Sequence, residues 1–328
     1  MNELGNLISK LNPRVLQIRE EASFVPLDIT YSSSGTFVEN DKPNFIDREC
    51  ENIIFVDSRR RTFESITVEG FVMLLCQVVT GALRYSNSLC TPLFSPDTNP
   101  PESKFILAVP QALAQLLGLE ESQRIWIGEI LAQVEIGASA ENALDSYMQR
   151  AEKNEVEKYL DQAIVIKDGS IDFTTPAFRL PFGPFGLVKN IEKAYLDMKT
   201  FLSLGQMKRG ERSRSIKVKL SEPDYERVMT YLKLVDSPGL KGLVRLEAVV
   251  EVDVFESSSE KIFELFDQLA KTLPNLTADA SFIARMPENI FPVSYLEKCL
   301  EKFFYDRDYV HWNVVKALAQ SKSSIIQK

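Results

Sequence analysis

Three carboxylates in this chain stand where a divalent cation could be held. Asp57 closes the apolar run Ile53-Ile54-Phe55-Val56. Asp168 closes a second run, Ala163-Ile164-Val165-Ile166-Lys167, and is followed by Gly169-Ser170. Glu152 lies on a helix-patterned stretch just before that second run. Asp and Glu oxygens are hard ligands suited to Mg²⁺ and Mn²⁺. Two acids on neighbouring strands and a third on a flanking helix can hold two ions about 3.5–4 Å apart astride a phosphodiester. Each residue also has a plainer reading. Asp168-Gly169 is a common turn pair, and Asp57 can serve as a cap or turn residue. Glu152 shares its helix with Glu155 and Glu157, as residues of a solvated face do. Glu155 competes for the middle position, because the helix register is open by one turn.

Cations accompany these acids. Arg59-Arg60-Arg61 follows Asp57 closely and can clamp phosphate or neutralise acidic neighbours. A second basic segment carries Lys208, Arg209, Arg212 and Arg214, extended by Lys217 and Lys219, against the single acid Glu211. It can meet DNA phosphates, or it is a solvated loop. The formal net charge of −8 argues against wholesale coating of nucleic acid. The one histidine, His311, sits late in the chain and leaves no Ser/His/Asp or Cys/His arrangement. No Gly-x-x-x-x-Gly-Lys-Ser/Thr stretch is present, which excludes ATP binding by such a loop. The four cysteines form no Cys-x-x-Cys pair, so a zinc cluster is not expected, and reduced thiols in a cytoplasm are. The most apolar stretch, 71–79, is too short to span a bilayer.

Residue patterning places these groups on elements. Strands are expected at 52–57, 62–69 and 71–83, then a long irregular loop over 86–103. Helical spacing marks 109–118, 121–136 and 140–161. The strand ending at Asp168 leads into a Pro- and Phe-rich segment, 173–184, and a helix over 186–204. Strands at 226–235 and 242–254 precede helices at 258–272, 292–304 and 307–320. Residues 1–25 read as an amphipathic helical segment interrupted at Pro13, and 31–47 as loop. With 45% hydrophobic residues and no internal repeat, the expectation is one domain over 1–328. Its fold class is α/β, a mixed sheet with helices on its faces.

In order, Asn52-Ile53-Ile54-Phe55-Val56-Asp57-Ser58, the apolar stretch 66–83, the helix 141–161 and Ile164-Val165-Ile166-Lys167-Asp168-Gly169-Ser170 resemble the NurA family of DNA-repair nucleases. The segment Phe201-Leu202-Ser203-Leu204-Gly205-Gln206-Met207-Lys208, the strands around Tyr231 and Leu243, and Phe291–Cys299 are similar to later parts of that family. The resemblance implies an RNase H-like core in which Asp57, Glu152 and Asp168 bind Mn²⁺ or Mg²⁺. It implies degradation of DNA, as a 5′–3′ exonuclease and single-strand endonuclease, during end resection with a HerA-type hexameric ATPase. It further implies a homodimeric ring whose DNA path the basic segment 208–219 would line. The departures are specific. Phe291 and Cys299 stand where the family has Tyr and His, and Ser58 replaces a glycine. Arg60 or Arg61 could fold into the metal site. A catalytically impaired paralogue that binds DNA or a HerA-like partner is therefore the alternative.

Overall fold

The computed structural model describes residues 3–4, 17–19, 29–39, 49–172, 176–277 and 289–326. Among them, fifteen strands, six α-helices and two short 3₁₀ turns are defined. The strands β1 (Gln17–Arg19), β2 (Thr30–Tyr31) and β3 (Thr36–Phe37) come first, all short. Then follow β4 (Asn52–Val68), β5 (Phe71–Ser86), β6 (Leu89–Pro92) and β7 (Glu102–Pro110). Helix α1 (Gln111–Leu117), strands β8 (Arg124–Ile127) and β9 (Ile130–Gly137), and helix α2 (Ala140–Glu157) lead to β10 (Ile164–Asp168). Strands β11 (Phe185–Val188) and β12 (Lys193–Ala194), helix α3 (Met198–Ser203), and strands β13 (Ile216–Lys219), β14 (Tyr225–Lys233) and β15 (Leu243–Glu251) come next. Helices α4 (Val252–Thr272), α5 (Phe291–Glu301) and α6 (Arg307–Ile326) end the described chain.

Thirteen strands form one mixed sheet, in the order β3-β13-β14-β15-β11-β10-β4-β5-β7-β9-β8, with β1 on β4 and β6 on β5. Five of them carry the site. β4, β5 and β7 run antiparallel in succession, and β10 and β11 then lie parallel to β4 on its other side. That is the mixed sheet expected from the sequence, in the RNase H-like layout that the resemblance implied. The sheet is covered on both faces. Ile53, Phe55 and Ile166 pack on one side against Phe266 of α4 and Leu296 and Leu300 of α5. Ile54, Val56 and Val165 pack on the other side against Val156 at the end of α2. Each such large side chain contributes about 1.5–3 kcal/mol by leaving water. No described helix is long and apolar enough to cross a membrane.

Several elements differ from expectation, each for a local reason. The two strands expected before residue 70 are one 17-residue strand, bulged between Thr62 and Glu64. Glu69 and Gly70 turn it with φ of 49° and 83°, the conformation that a two-residue hairpin favours. Within 86–103, Asn87 and Ser88 likewise take positive φ, so β6 folds back on β5 where a loop was expected. Residues 121–136 form the hairpin β8–β9, not a helix. Its apolar residues Ile125, Ile127, Ile130, Ala132 and Val134 alternate and are buried, a period of two. Over 186–204 only 198–203 is α-helical, because the wholly buried run at β11 pairs with β10 and β15. Of the N-terminal helical segment, residues 3–4 are helical and Gln17–Arg19 is a strand. The rest, like 40–47 of the expected loop, lies outside the described residues.

The β8–β9 turn supplies a direct test. Gly128 has φ of +63°, and an added Cβ would lie 2.5 Å from Asn313 Oδ1, which accepts the Glu129 amide. Gly128→Ala is expected to lower stability by about 1 kcal/mol or more. The readout is a lowered urea midpoint at unchanged slope, and an unmoved midpoint would contradict it.

Candidate metal centre

The parallel pairing of β4 with β10 runs from Ile53↔Ile164 to Val56↔Lys167. Asp57, inside β4, and Asp168, the last residue of β10, each stand one residue beyond the last pair, side by side. Side chains alternate along a strand, so both acids share the face of Phe55 and Ile166, toward α4 and α5. There Glu297 of α5 joins them. One oxygen from each of Asp57, Asp168 and Glu297 lies within 4.8 Å of the others. Glu297 follows Leu296 on the buried stripe Val293, Leu296, Leu300, which is what turns it inward.

The hydrogen bonding of this group is incomplete. Asp57 Oδ1 accepts the Ser58 amide at 2.8 Å, while its Oδ2 is buried without a partner. Asp168 Oδ2 accepts Lys189 Nζ at 2.7 Å, and its Oδ1 is also buried without a partner. Glu297 Oε1 takes Arg59 at 3.2 Å. Burial, then the charges of Asp168 and Glu152, push the Asp57 carboxyl well above the usual carboxylate range, against the opposing pull of Lys189. Orphaned anionic oxygens cost free energy unless a cation meets them. This donor set is hard, anionic and convergent, which fits Mg²⁺ or Mn²⁺.

Glu152 sits beside this group, not within it. It leaves α2 on the opposite face of the sheet, where its carboxylate meets Lys167 Nζ at 2.9 Å. Burial raises the Glu152 carboxyl even so. Burial pulls the Lys167 ammonium down, and Glu152 more than reverses it. Lys167 also donates to the carbonyls of Asp168 and Ser170, at 3.1 and 2.9 Å, and so pins the turn after Asp168. Glu155, the rival position, is engaged by Lys158 and by the Tyr159 hydroxyl.

The expected cationic residues divide in the same way. Arg59 reaches Glu297 and Glu301 on α5, whereas Arg60 reaches Glu141 and Asp145 on α2. Arg61 stacks over Phe304 at 4.5 Å. Neither Arg60 nor Arg61 enters the acidic group. In the second segment the Arg212 side chain is fully buried between Glu39 and Asp267. Arg209 bonds to the Pro274 carbonyl and Asn275, and Arg214 lies over the Phe37 ring at 4.2 Å. Lys208 is exposed. Phe291 is exposed and stacked on Tyr295, and Cys299 is buried. His311 bonds to Glu64 across the β4 bulge.

Glu297 is the acid that the sequence reading passed over, and the signal was present: an ionisable residue on the apolar stripe of a helix. Beside Asp168, a cleft of about 440 Å³ is lined by Lys189, Asp172, Glu192, Lys193, Arg227 and Arg245.

No protein-family model and no curated protein matches this chain. Solved structures do match. One is the crystal structure of the NurA nuclease from Sulfolobus solfataricus, 11% identical, covering 85% of this chain and 87% of that one, with a TM-score of 0.47.

Proposed function

We propose that this chain hydrolyses phosphodiester bonds of DNA with divalent cations held by Asp57, Asp168 and Glu297, and with Glu152 as a fourth acid beside them. One observation carries the reading. Asp57 Oδ2 and Asp168 Oδ1 are buried, unpaired and convergent with a third carboxylate, an arrangement that a bound cation would complete. Mn²⁺ or Mg²⁺ at that position supplies Lewis acidity toward a phosphoryl oxygen and acidifies bound water. The protein's part is to orient the ligands. Lys167 fixes the Asp168–Ser170 turn, and Glu247 fixes its far side by accepting Ser170 Oγ and the Ile171 amide. In line with the NurA resemblance, the substrate class is single- and double-stranded DNA, cleaved 5′–3′ and within single strands during end resection. The working form is a homodimer that docks on a HerA-type ATPase.

A second reading has its own support. Every acid of the group except Asp57 already has a basic partner, and Phe291 and Cys299 stand where the resembled family has Tyr and His. On this reading the chain is an impaired paralogue that binds DNA or a HerA-like ATPase. Labelled single-stranded DNA incubated with the protein and Mn²⁺ separates the two. Degradation is expected, and Asp168→Ala is expected to lower it by more than about 100-fold, beyond the loss from changes in residues that only support a ligand. Equal degradation by the variant would reject the site, and none by either protein would favour the binding reading.

A further inference from the structure

Basic side chains of the same protein meet the acidic residues, and these differ in how firmly they are tied. Lys167 meets Glu152 and is also fixed by two backbone carbonyls. Arg59 meets Glu297 and is shared with Glu301 at 2.8 Å. Lys189 meets Asp168 at 2.7 Å as its one hydrogen bond among the described residues, and its charge also acts on Asp57. Lys189 follows the end of β11 on the same face as Asp168, as alternation from Leu187 requires. It also lines the cleft of about 440 Å³, whose other carboxylates are Glu192 and Asp172, the latter approached by Arg227 at 3.6 Å. Of the three cations it is the one with somewhere to go.

We infer that Lys189 is a tethered cation that occupies the Asp168 carboxylate in place of a divalent ion, so that ion uptake requires Lys189 to leave for the cleft. The inference rests on the metal-site reading above and adds a built-in competitor to it. A lysine suits this role better than an arginine would. Its ammonium is a point charge on a flexible stem, whereas a guanidinium binds carboxylate through a planar fork. Holding a site in an incompetent state multiplies its apparent affinity by the fraction of time that it is free. If Lys189 is parked on Asp168 nine-tenths of the time, removing it tightens ion binding about tenfold.

The test is calorimetric titration of Mn²⁺ into the full chain at pH 7.5, without DNA, for wild type, Lys189→Met and Lys189→Arg. Circular dichroism and thermal melts check that each variant is folded. Lys189→Met is expected to bind Mn²⁺ about tenfold more tightly than wild type. Lys189→Arg keeps the charge and is expected to bind no more tightly than wild type. Equal or weaker binding by Lys189→Met, with wild type binding normally, overturns the tether and leaves the metal site standing. Tighter binding by both variants also overturns it, since the charge would then not be the competitor. Absence of Mn²⁺ binding in all three proteins overturns the metal reading and this inference together.

Discussion

Asp57→Asn is expected to make the metal-free protein more stable while ending its response to Mn²⁺. The Asp57 carboxyl is buried, and burial together with Asp168 and Glu152 raises it well above the ordinary range. A raised carboxyl means that the native state binds more protons than the unfolded state. Stability then falls as pH rises from the unfolded value, about 3.9, through the folded one, and the deficit persists above both. An amide carries no such deficit, and its N–H can donate to the unpaired Asp168 oxygen. The gain at neutral pH is on the order of 1–3 kcal/mol, a few degrees in Tm. Wild type should gain about 2.7 kcal/mol from Mn²⁺ at one hundred times its Kd, and the variant essentially none. Thermal scans in EDTA should therefore rank the variant above wild type, and Mn²⁺ should close or reverse that gap by raising wild type alone. The EDTA difference should also shrink as pH falls toward the ordinary carboxylate range. A variant less stable than wild type in EDTA at neutral pH would show that Asp57 is already satisfied within the protein.

That this residue could be found without coordinates follows from the pattern of an apolar run closed by an acid, although β4 continues past Asp57 to Val68. An apolar run buried on both faces and closed by an acid has few uses, and β4 and β10 repeat it. What the pattern could not show is which face each acid takes. Asp57 and Asp168 fall on the α5 side because they lie an even number of residues from Phe55 and Ile166. Glu152 reaches the sheet from the α2 side and meets Lys167 there. Sequence spacing on a helix fixes its own stripe but not the face of the sheet that it covers. Glu297 was missed for a different reason. Its segment was weighed by the residues at its ends, Phe291 and Cys299, while the inward acid lay on the stripe between them.

Charge runs were the least legible feature. Arg212 sits in a cluster of six cations, yet its partners are Glu39 and Asp267, far away in sequence. A run of like charges reports local composition only, and a buried arginine is defined by what the fold brings to it. Lys189 shows the same limit, since nothing around Val188-Lys189-Asn190 signals that β11 will lie beside β10 and bring an ammonium to Asp168. The helix expected over 121–136 failed on period instead. Ile125 and Ile127 facing Ile130 and Ala132 across Gly128 are spaced for a hairpin.

Glu247→Ala is expected to be strongly destabilising, because Glu247 neutralises the deepest cationic pair next to the acidic group. Its side chain is fully buried on β15. One oxygen accepts Ser170 Oγ at 2.5 Å and the Ile171 amide at 2.9 Å, and the other meets Arg245 at 2.9 Å. Arg227 approaches at 3.7 Å. Truncation leaves two buried guanidiniums. Arg245 is left with the Lys193 carbonyl, which carries no charge, and Arg227 with the Tyr195 hydroxyl, the Ile171 carbonyl and the half-exposed Asp172 at 3.6 Å. Breaking a buried ion pair from one side costs about 3–5 kcal/mol, a large share of the stability of a domain. Glu247→Gln is the milder probe. Its carbonyl oxygen still accepts from Ser170 and Ile171, while its amide presents donors to donors at Arg245. That loosens the 168–171 turn that aims Asp168. Mn²⁺ affinity in this variant is expected to fall about 10–100-fold, as when a residue supporting a ligand is lost. Urea unfolding measures the first effect, and Mn²⁺ titration of the folded Gln variant the second. A loss below about 1 kcal/mol for Glu247→Ala would mean that water reaches the two arginines. Unchanged Mn²⁺ binding in Glu247→Gln would separate the turn from the metal centre.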